Sequence, residues 1–192
     1  MTKKLKGDAM QCVPLTAERW EDFEALFGDR GACGGCWCMW WRLTHAQFVH
    51  QKGAGNKQAM QQLLASGASP GILAYLDGEV AGWCALAPRT AYARLANSRV
   101  LKPVDDQPVW SITCFFVARQ FRRRGVSLAL VNGAIAFARQ QGARILEGYP
   151  IEIGKDQPDP FVYTGLASTF RNAGFNEVAR RSPTRPLMRL VM

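Results

Sequence analysis

The feature that most constrains this chain is a change of period at Gly125. Before it, residues 109–117 read VWSITCFFV, an uncharged run rich in β-branched and aromatic residues. That is the composition of a buried strand. After it, Val126, Leu130, Ala134, Phe137 and Ala138 share one helical face, and Gly142 ends the periodic stretch. A further apolar run, ARILEGYPI at 143–151, follows. Strand, helix and strand in this order form a βαβ unit, and its crossover implies parallel pairing of the two strands.

The rest of the chain supplies mostly antiparallel material. MQCVPLT reads as a short strand ending in a turn. Thr16 is a candidate N-cap for a helix carrying Trp20, Phe23, Leu26 and Phe27 on one face, with Gly28 as the stop. NKQAMQQLLASG reads as a second helix, with Asn56 as candidate cap and Gly67 as stop. Residues 71–88, GILAYLDGEVAGWCALAP, form the clearest hairpin, two β-rich runs around an Asp77-Gly78 type I′ turn signal. Residues 89–108 read as an irregular or partly helical connection. YTGLASTFRNAGF is a last helix stopped by Gly174, and NEVARR and RPLMRLVM are closing strands. The expected fold class is mixed α/β (α+β), one domain over residues 1–192, with a twisted mixed β-sheet flanked by helices.

Composition narrows the function classes. A chain of 192 residues with 48% hydrophobic residues is neither disordered nor membrane-spanning, since its apolar runs fall far short of the ~20 residues a spanning helix needs. The basic N-terminus MTKKLKGDAMQC is not followed by an apolar stretch, so no signal peptide is read and a cytoplasmic location is expected. The net charge of +9 invites an anionic partner. Its arginines cluster at 119–124 and again near the end, without a helix-turn-helix or RNA-binding signature. A local cluster suits a polyphosphate ligand better than a nucleic-acid duplex.

That cluster occupies an informative place. The loop from strand to helix, ARQFRRRGVS, carries Arg122, Arg123 and Arg124 immediately before Gly125. First-turn amides of a helix have no intrahelical partner and carry the positive end of its dipole, which makes a ready anion site. Glycine allows close backbone approach, and arginines add forked donors. The alternative is a solvated charged face with Gly125 merely shaping the turn.

In this context the sequence resembles the GNAT acetyltransferase superfamily. The family signature is Gln or Arg, two residues, Gly, one residue, then Gly or Ala, between a strand and a helix. Here it reads Arg122-Arg123-Arg124-Gly125-Val126-Ser127, departing only in the small Ser127. FRNAGF at 170–175 is similar to the family's ending of its last helix. The resemblance implies acetyl-CoA (coenzyme A as acyl-donor substrate) and transfer of an acetyl group to the amine of a small-molecule or peptide acceptor. It implies pantetheine pairing along Phe115, Phe116 and Val117, and a pyrophosphate held by Arg122, Arg123, Arg124, Gly125, Val126 and Ser127. The family's usual strand glutamate falls on Ser111, and its usual tyrosine acid on Phe170, which has no hydroxyl. Tyr163 is the remaining phenol near that helix, either a proton donor to the leaving thiolate or a packing residue. A homodimer is left open.

A Cys/Trp-rich insert at about 31–45, GACGGCWCMWWRLTH, is the other distinctive segment. Trp37, Trp40, Trp41 and Arg42 are candidate walls of an acceptor pocket, or plain packing. Cys33, Cys36 and Cys38, with His45, would satisfy zinc by count, but the spacing is not a standard finger, and no metal is expected. The alternative to an enzyme is a non-catalytic module sensing metal or redox state through those cysteines. Cys84 and Cys114 sit in apolar runs and read as small core residues. Glu152, Asp156 and Asp159 are candidates to attract a cationic acceptor, or a solvated acidic loop.

Overall fold

A computed structural model of the chain describes residues 10–152 and 162–192. In chain order, β1 (Gln11–Pro14) leads to α1 (Trp20–Phe27), then α2 (His45–His50) and α3 (Ala54–Ala65). A hairpin of β2 (Gly71–Leu76) and β3 (Glu79–Pro88) follows, then the short α4 (Ala93–Ala96) and the central strand β4 (Trp110–Val117). The chain continues through α5 (Val126–Gln140), β5 (Ile145–Gly148), α6 (Ala167–Asn172), β6 (Asn176–Arg180) and β7 (Pro186–Val191). The seven strands form one sheet in the order β1-β2-β3-β4-β5-β7-β6. β4 and β5 are its parallel pair, as the βαβ reading requires, and the other neighbours are antiparallel.

Local signals account for most of these elements. Asp77 and Gly78 both have positive φ, as a type I′ turn demands, and Leu76 pairs with Glu79 across it. Gly142, with φ +78°, ends α5. Other boundaries moved. Asn56 caps nothing: α3 begins at Ala54 after Gly53, and the fully buried Asn56 donates through Nδ2 to the Gly35 carbonyl at 2.9 Å. Thr16 precedes a 3₁₀ turn at 17–19 without a side-chain cap bond. The last helix starts only at Ala167, because Gly165 sits at φ +86° and Leu166 is extended. Tyr163 therefore lies ahead of α6, in a turn. α2 has a capping box from Thr44 and Gln47 that sequence reading passed over.

Two apolar layers cover the sheet. One joins Ile72, Ala74, Cys84, Leu86, Ile112 and Phe115 to the buried face of α5 and to Phe170 of α6. The other joins Leu73, Tyr75, Trp83, Ala85 and Cys114 to Phe23 and Phe27 of α1, to Met60 and Leu64 of α3, and to Trp37 and Cys38. A bulge in β4 sets this division. Ala85 pairs with Cys114 and Leu86 with Ile112, so Thr113 is the extra residue. An extra residue inverts the alternation beyond it. Cys114 consequently faces the α1/α3 layer although Ile112, two residues earlier, faces α5.

Candidate active site

The bulge also marks where the parallel pair parts. β4 and β5 are in register at Trp110–Leu146, Ser111–Glu147 and Ile112–Gly148, and the pairing ends there. Beyond it, β3 is the strand with which β4 remains paired. The Ala118 N–H donates to the Ala81 carbonyl at 3.0 Å. By the two-residue period, the main-chain groups of Phe115 and Val117 then point away from β3, into the gap. The Phe115 N–H donates to the Tyr163 carbonyl at 2.6 Å, and the Val117 carbonyl accepts from Arg122 Nε at 3.3 Å. Where the pairing ends, Phe170 of α6 packs over β5. Its ring meets Phe115 and Phe175 edge-on, with centroids 6.0 and 5.0 Å apart, and lies so close to Gly148 that a Cβ there would be 2.1 Å from Cε1.

The arginine loop lies at the open end of this gap. Gly125 is the N-cap of α5 in the left-handed region, at φ +79°, and no atom stands within 4 Å of where its Cβ would be. The first bond of the helix runs from the Ala129 N–H to the Gly125 carbonyl, so the amides before it have no helical acceptor. Val126 is buried and anchors the turn, whereas Arg122, Arg123, Arg124 and Ser127 are exposed. Arg124 reaches Asp77 at 3.2 Å in the β2–β3 turn, and Arg122 reaches back to β4 as described.

A cavity of about 320 Å³ opens on the α1/α3 side of β4. Its walls include Cys114, Phe115 and Phe116 from β4, Tyr163, Trp40 and Phe48, and Cys33, Cys36 and Cys38 from the insert. Trp40 is held edge-on to Phe48 at 5.0 Å, with the Arg94 guanidinium 3.7 Å above its ring. Burial raises the pKa of Tyr163, with Arg185 and Trp40 opposing in part, so its phenol stays protonated beyond its ordinary range.

The other insert residues lie elsewhere. Trp37 is 3% exposed and stacks on Trp20 and Phe27 at 6.0 and 5.8 Å, within the core rather than on the cavity wall. Trp41 packs between the α1/α3 layer and a small cluster around Tyr92 and Leu95. Arg42 lies over the Tyr92 ring at 4.9 Å and donates to the Pro70 carbonyl, a structural brace. Cys33 is exposed, Cys36 half-buried and Cys38 buried. Among the described residues no group of three or more His, Cys, Asp or Glu side chains is arranged to hold a metal.

Carboxylates are absent from the cavity wall among the described residues. Ser111, at the position of the family's strand glutamate, is fully buried and pairs with Tyr149 Oη at 2.8 Å. The neighbouring Glu147 is 1% exposed and neutralised by Arg89 and Arg189 at 3.3 and 2.7 Å. Glu152 is taken by Arg171 and Arg180, each at 2.5 Å, which hold its pKa below the usual carboxylate range. Asp156 and Asp159 lie outside the described residues.

What sequence reasoning missed is the meeting of Cys38 and Cys114, whose Sγ atoms are 3.5 Å apart. No pattern in the strand marks the bulge that turns Cys114 toward the insert.

The parted strand pair thus leaves an open strand edge with a helix N-terminus at its mouth. A sequence model of the acetyltransferase (GNAT) family matches residues 37–149, and the chain belongs to that family. Among solved structures, it is similar to GNAT-family acetyltransferases from Listeria monocytogenes 4b F2365 and Streptococcus agalactiae 2603. Each shares 11% identity over 95% of both chains, with TM-scores of 0.58 and 0.56. It is also similar to the PaiA N-acetyltransferase of Thermoplasma acidophilum in complex with coenzyme A, at 12% identity, 96% and 99% coverage and a TM-score of 0.52. A search of curated proteins finds no match. No helix among the described residues is long and apolar enough to cross a membrane.

Proposed function

We propose that the protein transfers an acetyl group from acetyl-CoA to the amine of an acceptor, using the gap beside β4 for the donor and the cavity behind it for the acceptor. The observation that carries the reading is the end of β4–β5 pairing at Ile112–Gly148, beside the α5 N-terminus. Acetyl-CoA is the acyl donor of the GNAT family. In this reading the Phe115 N–H and Val117 carbonyl exchange their present partners, Tyr163 O and Arg122 Nε, for the amides of the pantetheine arm. Phe116 lends only its side chain, as a wall of the cavity. The amides of Gly125, Val126 and Ser127 cradle the pyrophosphate, and Arg122, Arg123 and Arg124 surround it with charge.

Tyr163 is the candidate proton donor to the leaving thiolate. Its phenol remains protonated and it lines the cavity with Cys114 and Phe115. Trp40 is the tryptophan of the insert in a position to border the acceptor. One domain over residues 1–192 is the reading supported by a sheet whose outer strands are β1 and β6. The test is a screen of small-molecule and peptide amines for acceptor-dependent release of CoA thiol from acetyl-CoA. Release that saturates with one acceptor class supports the reading. A protein neither stabilised by CoA nor active with any amine overturns it.

A further inference from the structure

We infer that Cys36 accepts the acyl group from the donor thioester and holds it as an S-acyl intermediate before the acceptor takes it. This rests on the reading of the β4 gap as the donor site. Four observations support it.

The first is placement. Cys36, Cys38 and Cys114 line one cavity, together with the β4 residues Phe115 and Phe116 beside which the donor's sulfur end is proposed to lie. The second is the cavity's chemistry. Among the described wall residues the ionisable groups are the cysteines, Tyr163 and Lys52, with no carboxylate or histidine to act as base. A cysteine attacks without a separate base once it is ionised.

The third observation is backbone strain. Ala32, Trp37 and Cys38 have φ of 60°, 41° and 53°, a left-handed region that non-glycine residues avoid. Such strain persists only where the surroundings impose it. Here Asn56, fully buried, pins Gly35 through its carbonyl, and the Gly53 N–H donates to the same atom at 3.1 Å. Gly35 and Trp37 flank the right-handed Cys36 with positive φ, and the Cys36 and Trp37 N–H groups both donate to the Gly31 carbonyl, which holds the turn.

The fourth is the state of the thiols. The Cys38 side chain and the amides of Cys38, Cys33 and Cys36 pull the pKa of Cys36 down to about 7, against its burial. Burial, with Cys114 and Cys36 adding to it, pushes the Cys38 thiol well up, so Cys38 stays protonated and remains a donor. As a neutral thiol, Cys36 donates to the Gly31 carbonyl at 3.6 Å. A thiol ionised at neutral pH is a ready nucleophile and, in the next step, a good leaving group.

The exchange balances without an oxidant or reductant. Cys36 gives its proton to solvent, and its Sγ attacks the thioester carbonyl carbon. A carbon–sulfur bond forms to Cys36, the bond to the CoA sulfur breaks, and the CoA thiolate takes a proton from Tyr163, which solvent replaces. The acceptor amine then attacks the Cys36 thioester. A carbon–nitrogen bond forms, Cys36 leaves as a thiolate, and the amine's proton goes to solvent.

The test needs no acceptor. The protein is incubated with acetyl-CoA, acid-quenched and mapped by peptide mass spectrometry, while exchange of isotope-labelled CoA into acetyl-CoA is followed in parallel. CoA binding is measured separately by thermal shift. The expected result is an acetyl group on Cys36 that hydroxylamine removes, with exchange that falls to background in Cys36→Ala and persists in Cys12→Ser, a β1 cysteine outside the cavity. Because the adduct is mapped on the unaltered chain, a misfolded variant does not decide the outcome. Thermal stabilisation by CoA without an adduct or exchange overturns the covalent step and leaves the donor site standing. An adduct confined to Cys33 or lysine also overturns it. Absence of CoA binding overturns both readings.

Discussion

Replacing Gly148 by alanine tests whether β5, where its pairing with β4 ends, is packed against a ring that cannot yield. The new Cβ would stand 2.1 Å from Phe170 Cε1 and 2.7 Å from Cδ1 and Cζ, where side chains do not approach within 3.0 Å. Phe170 has no exposed surface and is fixed edge-on by Phe115 and Phe175. The ring must retreat by the better part of an ångström through packed neighbours. Overpacking of this kind destabilises by about 1–3 kcal/mol. For a chain of this size, that lowers Tm by roughly 2–12 °C. Phe115 packs edge-on against the ring, so the displacement also disturbs the strand segment proposed to pair with the donor, and stabilisation by CoA should shrink. Phe170→Leu removes the offending edge but leaves a cavity of its own. The double variant should therefore lose less than the two single losses added, by a coupling of about 0.5–3 kcal/mol. Thermal unfolding of the four proteins, with and without CoA, measures all of this. A Gly148→Ala protein as stable as the unaltered chain, or losses that add, would refute the close packing of Phe170 on Gly148.

Gly125→Glu sets a carboxylate at the α5 N-terminus, and with φ +79° it also strains the cap; CoA should no longer raise Tm, whereas a folded variant with unchanged CoA affinity contradicts the phosphate site. Tyr163→Phe should lower kcat by about 10²–10⁴-fold with CoA affinity nearly kept if the phenol protonates the thiolate, and turnover equal to the unaltered chain removes it from that role. Arg189→Met leaves the buried Glu147 with Arg89 as its remaining ion-pair partner and should destabilise by about 3–5 kcal/mol in urea unfolding; a loss below about 1 kcal/mol would show that the pair matters little. Alkylation of Cys36 by iodoacetamide should rise through a midpoint near pH 7 rather than 9. Folding depresses this pKa and so favours the thiolate; its contribution to stability is complete above the ordinary thiol value of 9 and is lost as pH falls through about 7, and a midpoint at 9 would refute the influence of Cys38 and the neighbouring amides.

The βαβ unit, the hairpin and the glycine stops of the helices were legible because each is written in local residues, whereas the helix starts at Thr16, Asn56 and Tyr163 were not. Asp77-Gly78 can hardly be anything but a tight turn, and the period of α5 starts one residue after Gly125. The loop that the resemblance assigned to pyrophosphate lies at a helix N-terminus because that assignment used the same strand–loop–helix order. The insert was not legible. Its three tryptophans look alike in sequence, yet Trp37 is packed inside, Trp41 spans two clusters and Trp40 borders the cavity. What separates them is the left-handed backbone at Trp37 and Cys38, which β-propensity and periodicity do not encode. Cys114 was read as a core residue, and it is buried, but its partner Cys38 is 76 positions away and meets it only through the bulge at Thr113.

In the proposed reading the proton chemistry falls to thiols and a phenol, and the bulge with the ion network behind it is the structural ground for that. Glu147 is the buried carboxylate nearest the point where the strands part, opposite Ser111 in the register. Its Oε1 accepts from Arg189 at 2.7 Å, and its Oε2 accepts from Tyr149 Oη at 2.8 Å and from Arg89 at 3.3 Å. A carboxylate so held is committed to the ion network and does not line the cavity. What it does instead is mechanical. Arg189 belongs to β7 and Arg89 to the segment after β3, so one side chain ties the strands on both sides of the parallel pair just before pairing stops. Phe170 packs against Gly148, the last residue of β5 in register with β4. The clamp at Glu147 and the ring at Gly148 act at adjacent positions on β5, where the pairing ends. A strand edge fixed in this way would keep its outward main-chain groups aligned for a ligand before the ligand arrives, which lowers the ordering that binding must otherwise supply.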